Sequence, residues 1–355
     1  MSTARKETTR QSRRDFLRTG AAISSAAFVG LPALGKANQD GIEDVSKHGT
    51  EVKLDVIPDS QRNDGSINPI LQEIRKDILD RQPGEIQLKG VSSGFYELDK
   101  VTAGFQKSDF IILAGRPGMG KTSFCLNVAL SASCNRWKFS KPLPVAIFSL
   151  KLDKFHLTQR LLCSLAGIDP DKMRVKRLFE HDVQGLNLAF KRLSDAPIFV
   201  EDYHTISTSE LSLKARRLCE TEKIGLIIID YLQMMSHDSE RFGSRHQEVT
   251  EISRSLKALA KELNIPVLAI SQLPRTIDSR KDKIPQLFDL REFGTLEQDA
   301  DVIMFIYRPE IYGIKKISGV STEGLARLFI RLNRNGPNGV VDLRFVNEYA
   351  RFENA

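Results

Sequence analysis

The residues Gly115-Arg116-Pro117-Gly118-Met119-Gly120-Lys121-Thr122 constrain this chain more than any other segment. They follow the apolar run at 110–114 without a gap and lead into a stretch of helical character. Glycines at this spacing let backbone N–H groups wrap around phosphate oxygens, and a helix starting at the lysine turns its positive dipole end to the same anion. Such a loop works between a buried strand and a helix, so the pattern predicts an α/β protein with a phosphate cradle. Gly115, Arg116, Pro117, Gly118, Met119, Gly120, Lys121, Thr122 and Ser123 are the candidate nucleotide-binding residues. Lys121 is the group to pair with the β- and γ-phosphates of ATP, and the Thr122 hydroxyl the one to bind Mg²⁺.

A carboxylate is expected beside that loop. Asp230 ends the run Leu226-Ile227-Ile228-Ile229, where it can hold the hydration shell of the Mg²⁺. A strand-ending Asp alone is equally an ordinary cap; the phosphate loop is what singles this one out. Further apolar runs at 145–149, 198–201, 267–271, 302–306 and 329–332 read as strands. Between several of them the spacing turns helical, most clearly at 246–263, where Val249, Ile252, Leu256, Leu259 and Leu263 share a face. Buried strands alternating with helices imply a mostly parallel sheet covered on both faces. Runs at 329–332 and 340–345, separated by Asn335-Gly336-Pro337-Asn338-Gly339, predict an antiparallel hairpin at the C-terminal edge.

A net charge of +7 invites a nucleic-acid partner, but its placement tempers that expectation. Residues 1–36 carry seven Lys/Arg against Glu7 and Asp15, which accounts for +5 and leaves +2 for the rest. DNA binding must then come from charges placed locally. Ser12-Arg13-Arg14-Asp15-Phe16-Leu17-Arg18, an apolar stretch at 21–34 and the small-x-small Gly35-Lys36-Ala37 have the three parts of a twin-arginine export signal. An organelle transit sequence, or a start fused to an unrelated body, are the other ways to read residues 1–37, and the choice stays open. Residues 38–68 are polar, as a flexible linker is. Residues 69–82 predict a short amphipathic helix, begun by Pro69 and stopped by Pro83-Gly84, with Ile70, Leu71, Ile74, Ile78 and Leu79 on one side. So short a helix must dock its stripe, on its own domain or on a neighbour. No stretch reaches the roughly 20 apolar residues of a membrane span, so no membrane partner is expected. Cys125, Cys134, Cys163 and Cys219 show no metal-ligand or disulfide spacing.

Several blocks then fall in one order. Gly90-Val91-Ser92-Ser93-Gly94-Phe95-Tyr96-Glu97-Leu98-Asp99 precedes the loop, and Ile229-Asp230-Tyr231-Leu232-Gln233 follows it. Ser255-Leu256-Lys257-Ala258-Leu259-Ala260, Ile270-Ser271-Gln272-Leu273, Asp289-Leu290-Arg291-Glu292 and Glu297-Gln298-Asp299-Ala300-Asp301 come next, then Arg334-Asn335-Gly336-Pro337 and Arg351-Phe352-Glu353-Asn354. In order and spacing they resemble the motor domain of the DnaB-type replicative DNA helicases, over about residues 66–354. The resemblance implies a RecA-like ATPase domain at 88–355, in a cytoplasmic homohexamer that encircles single-stranded DNA and moves along it by hydrolysing ATP. A primase or a helicase loader would be further partners. The helix at 69–82 would dock on the adjacent subunit. The family's N-terminal collar finds no counterpart, its place being taken by the leader and linker.

The same resemblance assigns roles. Gln272 would sense the γ-phosphate. Arg291, Glu292 and Gly294 fall in the central-channel loop that tracks the DNA backbone, where a few charges repeated around a ring suffice; an Arg291–Glu292 surface ion pair is the plainer alternative. Arg334 would be the arginine finger that reaches a neighbour's γ-phosphate. Lys121, Asp230, Gln272 and Arg334 thus form the expected catalytic set, with Thr122 and Asp230 on the metal.

Departures from the family pattern bear on turnover. Lys151 stands where the family has a glutamate that activates the attacking water, and an ammonium cannot accept that proton. Asp153 is the nearest substitute, about 6–7 Å further along an extended chain. Leu332 replaces a lysine two residues before the finger, and strand alternation turns the adjacent Arg331 to the opposite face. Phe293 replaces a small serine in the DNA loop. A ring that binds nucleotide and DNA, or joins an active helicase, without hydrolysing ATP is therefore the competing expectation.

Overall fold

The computed structural model describes residues 67–79, 88–134, 142–238 and 243–355. The expected leader, nearly all of the expected linker and residues 80–82 of the expected helix lie outside them. Helix α1, Asn68–Leu79, has Pro69 in its first turn, where no N–H has to be given up. It belongs to a unit ending at Leu79; the body is a second unit from Asp80 to Ala355.

The body is built on a nine-stranded sheet. In chain order the strands are β1 (Phe110–Gly115), β2 (Val145–Ser149), β3 (Ile198–Asp202), β4 (Leu226–Asp230), β5 (Val267–Gln272), β6 (Val302–Tyr307), β7 (Leu325–Asn333), β8 (Gly339–Val346) and β9 (Arg351–Asn354). Their spatial order is β9-β8-β7-β6-β1-β5-β4-β2-β3. The pairs among β1 to β6 are parallel, and β7, β8 and β9 continue the sheet antiparallel from β6. The seven expected strands are all present, β7 beginning four residues before the expected 329. Strand β9 was not expected, because Arg-Phe-Glu-Asn holds one apolar residue and shows no period.

Alternation along the strands divides the core. Ile111 and Leu113 join one apolar cluster, and Phe110, Ile112 and Ala114 join the other. Strand β4 divides likewise, with Leu226 and Ile228 against Ile227 and Ile229. Each such side chain contributes about 1.5–3 kcal/mol on burial, which is why the apolar runs are so continuous. The longer helices of the body are α2 (Tyr96–Thr102), α3 (Lys121–Ser133), α4 (Lys154–Ala166), α5 (Glu180–Ser194), α6 (Thr208–Glu222) and α7 (Arg245–Leu263). Helix α7 is capped by Ser244, whose side chain accepts from the Gln247 N–H, and ends at Asn264 in the left-handed conformation.

Helix α3 is buried from Phe124 to Ser133. Phe124 stacks on Phe95 at 4.9 Å between ring centres and meets the edge of Phe352 at 5.9 Å. The helix that carries Lys121 is therefore fixed between the parallel sheet and the C-terminal strands. Among the described residues no helix is long and apolar enough to cross a membrane.

Candidate functional site

In the sheet register Gly115 lies opposite Gln272 and Ser149 opposite Asp230. The C-terminal ends of the adjacent strands β1, β5, β4 and β2 thus reach one edge, where open α/β sheets bind ligands. A cleft of about 240 Å³ opens there, lined by Pro117, Gly118, Gly120, Lys121, Thr122 and Ser123 from the loop. Asp230, Tyr231, Ile270, Gln272, Lys151, Arg160 and Phe345 complete its walls. The loop needs its glycines. Gly120 has a φ of 92°, and a Cβ there would come within 2.9 Å of the Phe352 ring.

Lys121 Nζ donates to the carbonyls of Gly115 at 2.7 Å and Arg116 at 3.0 Å, folding over its own loop. Burial lowers its pKa to about 8, Asp230 opposes that shift, and Lys151 and Arg116 reinforce it. The Thr122 hydroxyl donates to Asp230 Oδ2 at 2.6 Å, so the two expected metal ligands are already in contact. One hydroxyl and one carboxylate fit Mg²⁺, which keeps several waters and takes few protein oxygens. Asp230 is pushed up by burial, while the Thr122 hydrogen bond and Lys151, Lys121 and Arg160 hold it down.

Gln272 is secured by a residue that the sequence marked only as part of a block. Gln233 donates to Ser271 Oγ at 2.9 Å and the Gln272 carbonyl at 3.3 Å, and accepts from the Gln272 N–H at 3.2 Å. Arg116 turns away from the cleft. Its guanidinium meets Asp278 at 2.7 and 3.1 Å and the Leu273 carbonyl at 2.9 Å. Met119 is buried with its sulfur accepting from the Arg308 N–H at 3.3 Å, so it anchors the loop from beneath.

Lys151 lies over the cleft with its ammonium 5.9 Å from the Tyr231 ring centre. Asp153 does not line the cleft. Its carboxylate caps α4 instead, accepting from the His156 N–H at 2.9 Å and meeting His156 Nδ1 at 2.5 Å. Among the described residues lining the cleft, Asp230 is the single carboxylate.

Arg334 is not brought to this cleft. Its Nε donates to the Ala300 carbonyl at 2.8 Å and its Nη2 to that of Gln298 at 2.6 Å. The next residue, Asn335, reaches Asp109, just before β1, at 3.3 Å. Arg334 therefore sits at the opposite end of β1 from Lys121, about 20 Å away by strand rise. Before it, the ladder between β7 and β6 shifts register between Ile330 and Leu332, leaving Arg331 as an extra residue. That bulge overturns the expected alternation. Leu332 packs with Phe329 in the cluster opposite Ile330, and the Arg331 guanidinium lies 4.7 Å from the centre of the same Phe329 ring. Both side chains occupy one face.

Arg291 pairs with Glu297 at 3.2 Å, and its side chain is 70% exposed. Its loop is held by Arg280, which meets Asp289 at 2.8 and 3.1 Å. Gly294 has a φ of 90°, and a Cβ there would lie 2.7 Å from Thr250 Oγ1, so the loop is pressed against α7. The side chains of Glu292 and Phe293 lie outside the described ones.

The pattern of the family described as DnaB-like helicase C terminal domain matches residues 90–354. The replicative DNA helicase DnaB of Geobacillus stearothermophilus is 41% identical over 278 residues, covering 78% of this chain and 59% of the relative. A probable replicative DNA helicase of Trieres chinensis is 42% identical over 266 residues, 75% of this chain and 57% of the relative. The chain thus spans a little under three fifths of the length of these relatives. One solved structure, of an ATPase domain, is similar at a TM-score of 0.74 with 35% identity, over 82% of this chain and 100% of that one. A DnaB-like replicative helicase, solved in a study of its interactions with primase, is similar at 0.72 with 34% identity, over 82% of this chain and 68% of the other.

Proposed function

This chain belongs to the DnaB-like helicase C-terminal domain family, and on that premise we propose that it is the ATP-driven motor of a replicative DNA helicase. The observation that carries the proposal is the contact of Thr122 with Asp230 at 2.6 Å, beside Lys121 and Gln272 in one cleft. On nucleotide binding, Lys121 would exchange its loop carbonyls for phosphate oxygens, and Thr122 and Asp230 would hold Mg²⁺. Bound there, Mg²⁺ neutralises charge on the phosphates. Gln272 would report the γ-phosphate through the segment after β5, which Arg116 clamps at Asp278 and which leads to the Arg291 loop.

Arg334 lies too far from its own cleft to serve it, which supports a role in trans in a ring of identical copies, six in the family pattern. Arg291, Glu292 and Gly294 would face single-stranded DNA at its centre, with backbone contacts that ignore sequence. A primase is a proposed partner, since a similar helicase was solved in a study of that interaction.

We further propose that hydrolysis is slow. Lys151 cannot deprotonate water, and the capping of α4 by Asp153 removes the nearest substitute. Forked-duplex unwinding by the Lys151→Glu protein tests the motor separately from its rate. Strand displacement that needs ATP, Mg²⁺ and Lys121 supports it. Nucleotide binding without displacement, in this form and in the unchanged protein, contradicts it.

A further inference from the structure

The cleft carries more positive charge than a phosphate loop alone supplies. Lys121 at the head of α3, Lys151 after β2 and Arg160 on α4 all line it, against the carboxylate of Asp230. Neither Lys151 nor Arg160 is tied into an ion pair among the described residues. The backbone that presents Lys151 is fixed at both ends. Ser149 Oγ donates to the Leu152 carbonyl at 2.6 Å and accepts from its N–H at 3.3 Å, and the Asp153 cap holds the next turn. The Lys151 side chain thus lines the same cleft as both groups that handle phosphate and metal, Lys121 and Asp230.

Against the glutamate that the family resemblance implies at this position, Lys151 changes the local charge by two units, the charge of one Mg²⁺ ion. We propose that Lys151, assisted by Arg160, stands in electrostatically for the divalent cation, so that this cleft takes up nucleoside triphosphate with little dependence on Mg²⁺. The proposal rests on the nucleotide-binding role given above. It extends that role, because the ammonium and a dication held at Thr122 and Asp230 would both neutralise the same polyphosphate charge, so that binding, unlike hydrolysis, would need the metal little. The cleft would then stay loaded where a metal-dependent site empties.

Equilibrium binding of a fluorescent ATP analogue to the full chain, in Mg²⁺ and in EDTA, tests this. The unchanged protein is expected to lose no more than about threefold in affinity on metal removal, and Lys151→Glu about thirtyfold or more. Lys151→Met, which keeps the length and drops the charge, should fall between them. Equal losses for the unchanged and Lys151→Glu proteins overturn the proposal, as does analogue binding that survives Lys121→Ala. Absence of binding by the unchanged protein in Mg²⁺ overturns instead the nucleotide role on which the proposal rests.

Discussion

The cleft at the ends of β1, β5 and β4 and the turn after β7 that carries Arg334 are assembled on opposite principles. In the cleft, functional groups hold one another: Thr122 holds Asp230, Gln233 holds Gln272, and Lys121 closes over its own loop. Three parallel strands bring Thr122 to Asp230 across 108 positions and Gln233 to Gln272 across 39, and burial fixes the strands. At the end of β7, polar atoms turn to the backbone beside them. Arg334 is held by the Gln298 and Ala300 carbonyls, and Arg331 lies on a phenylalanine ring. Among the described residues, none of these contacts completes a site within one copy. The contrast separates a half-site assembled within a single chain from one that, on the proposed function, would gain its chemistry beside a second chain.

The contrast can be broken most sharply at Arg334. Arg334→Ala should cut DNA-stimulated hydrolysis by about 10³-fold while nucleotide affinity stays within about threefold. Mixing these copies with Lys121→Ala copies should restore part of the rate, because some interfaces then pair an intact loop with an intact finger. An equal loss of affinity in equilibrium binding would place Arg334 in its own cleft and end the distinction. Lys121→Ala should act on the cleft alone, lowering nucleotide affinity by about 10²-fold through the loss of charge-assisted bonds. Thermal unfolding should be unchanged, since Lys121 caps only loop carbonyls.

Arg331 gives a smaller effect. The bulge sets it on the same face as Leu332, so Arg331→Ala should lower turnover by about tenfold if it supplies the cation that Leu332 lacks. Steady-state rates unchanged by the substitution would leave Arg334 as the sole trans group.

The weakest effect concerns the footing of the Arg334 loop. Asp109, which accepts from Asn335, has its pKa raised to about 6 by burial and by the nearby Asp301 charge. A raised carboxyl binds its proton more readily when folded. Its stabilising contribution is therefore full below its ordinary value of 3.8 and is lost as pH climbs through about 6. Asp109→Asn should raise stability at pH 7 by about 1 kcal/mol and flatten the decline between pH 4 and 6, as read by thermal melts. Parallel curves for both proteins would mean that Asp109 does not govern this decline.

The cleft was legible in the sequence because buried parallel strands leave unbroken apolar runs, and its residues stand at the ends of those runs. The end of β7 was not. A bulge adds one unpaired residue without disturbing local composition, so the period placed Arg331 and Leu332 on opposite faces. The capping role of Asp153 was legible in principle, since an Asp ahead of a helix-forming stretch is an N-cap signal; the missing carboxylate at 151 favoured a catalytic reading instead. Arg160 and the Arg116–Asp278 clamp could not be read. One depends on how α4 is rotated, and the other joins residues 162 positions apart.

The most direct measurement is ATP hydrolysis stimulated by single-stranded DNA, for the unchanged, Lys151→Glu and Lys121→Ala proteins at equal nucleotide occupancy. Slow turnover is expected in the unchanged protein, with an increase of at least about tenfold for Lys151→Glu and silence for Lys121→Ala. Hydrolysis by the unchanged protein as fast as by Lys151→Glu would contradict slow turnover at this cleft, and would mean that some group other than the residue at 151 activates water.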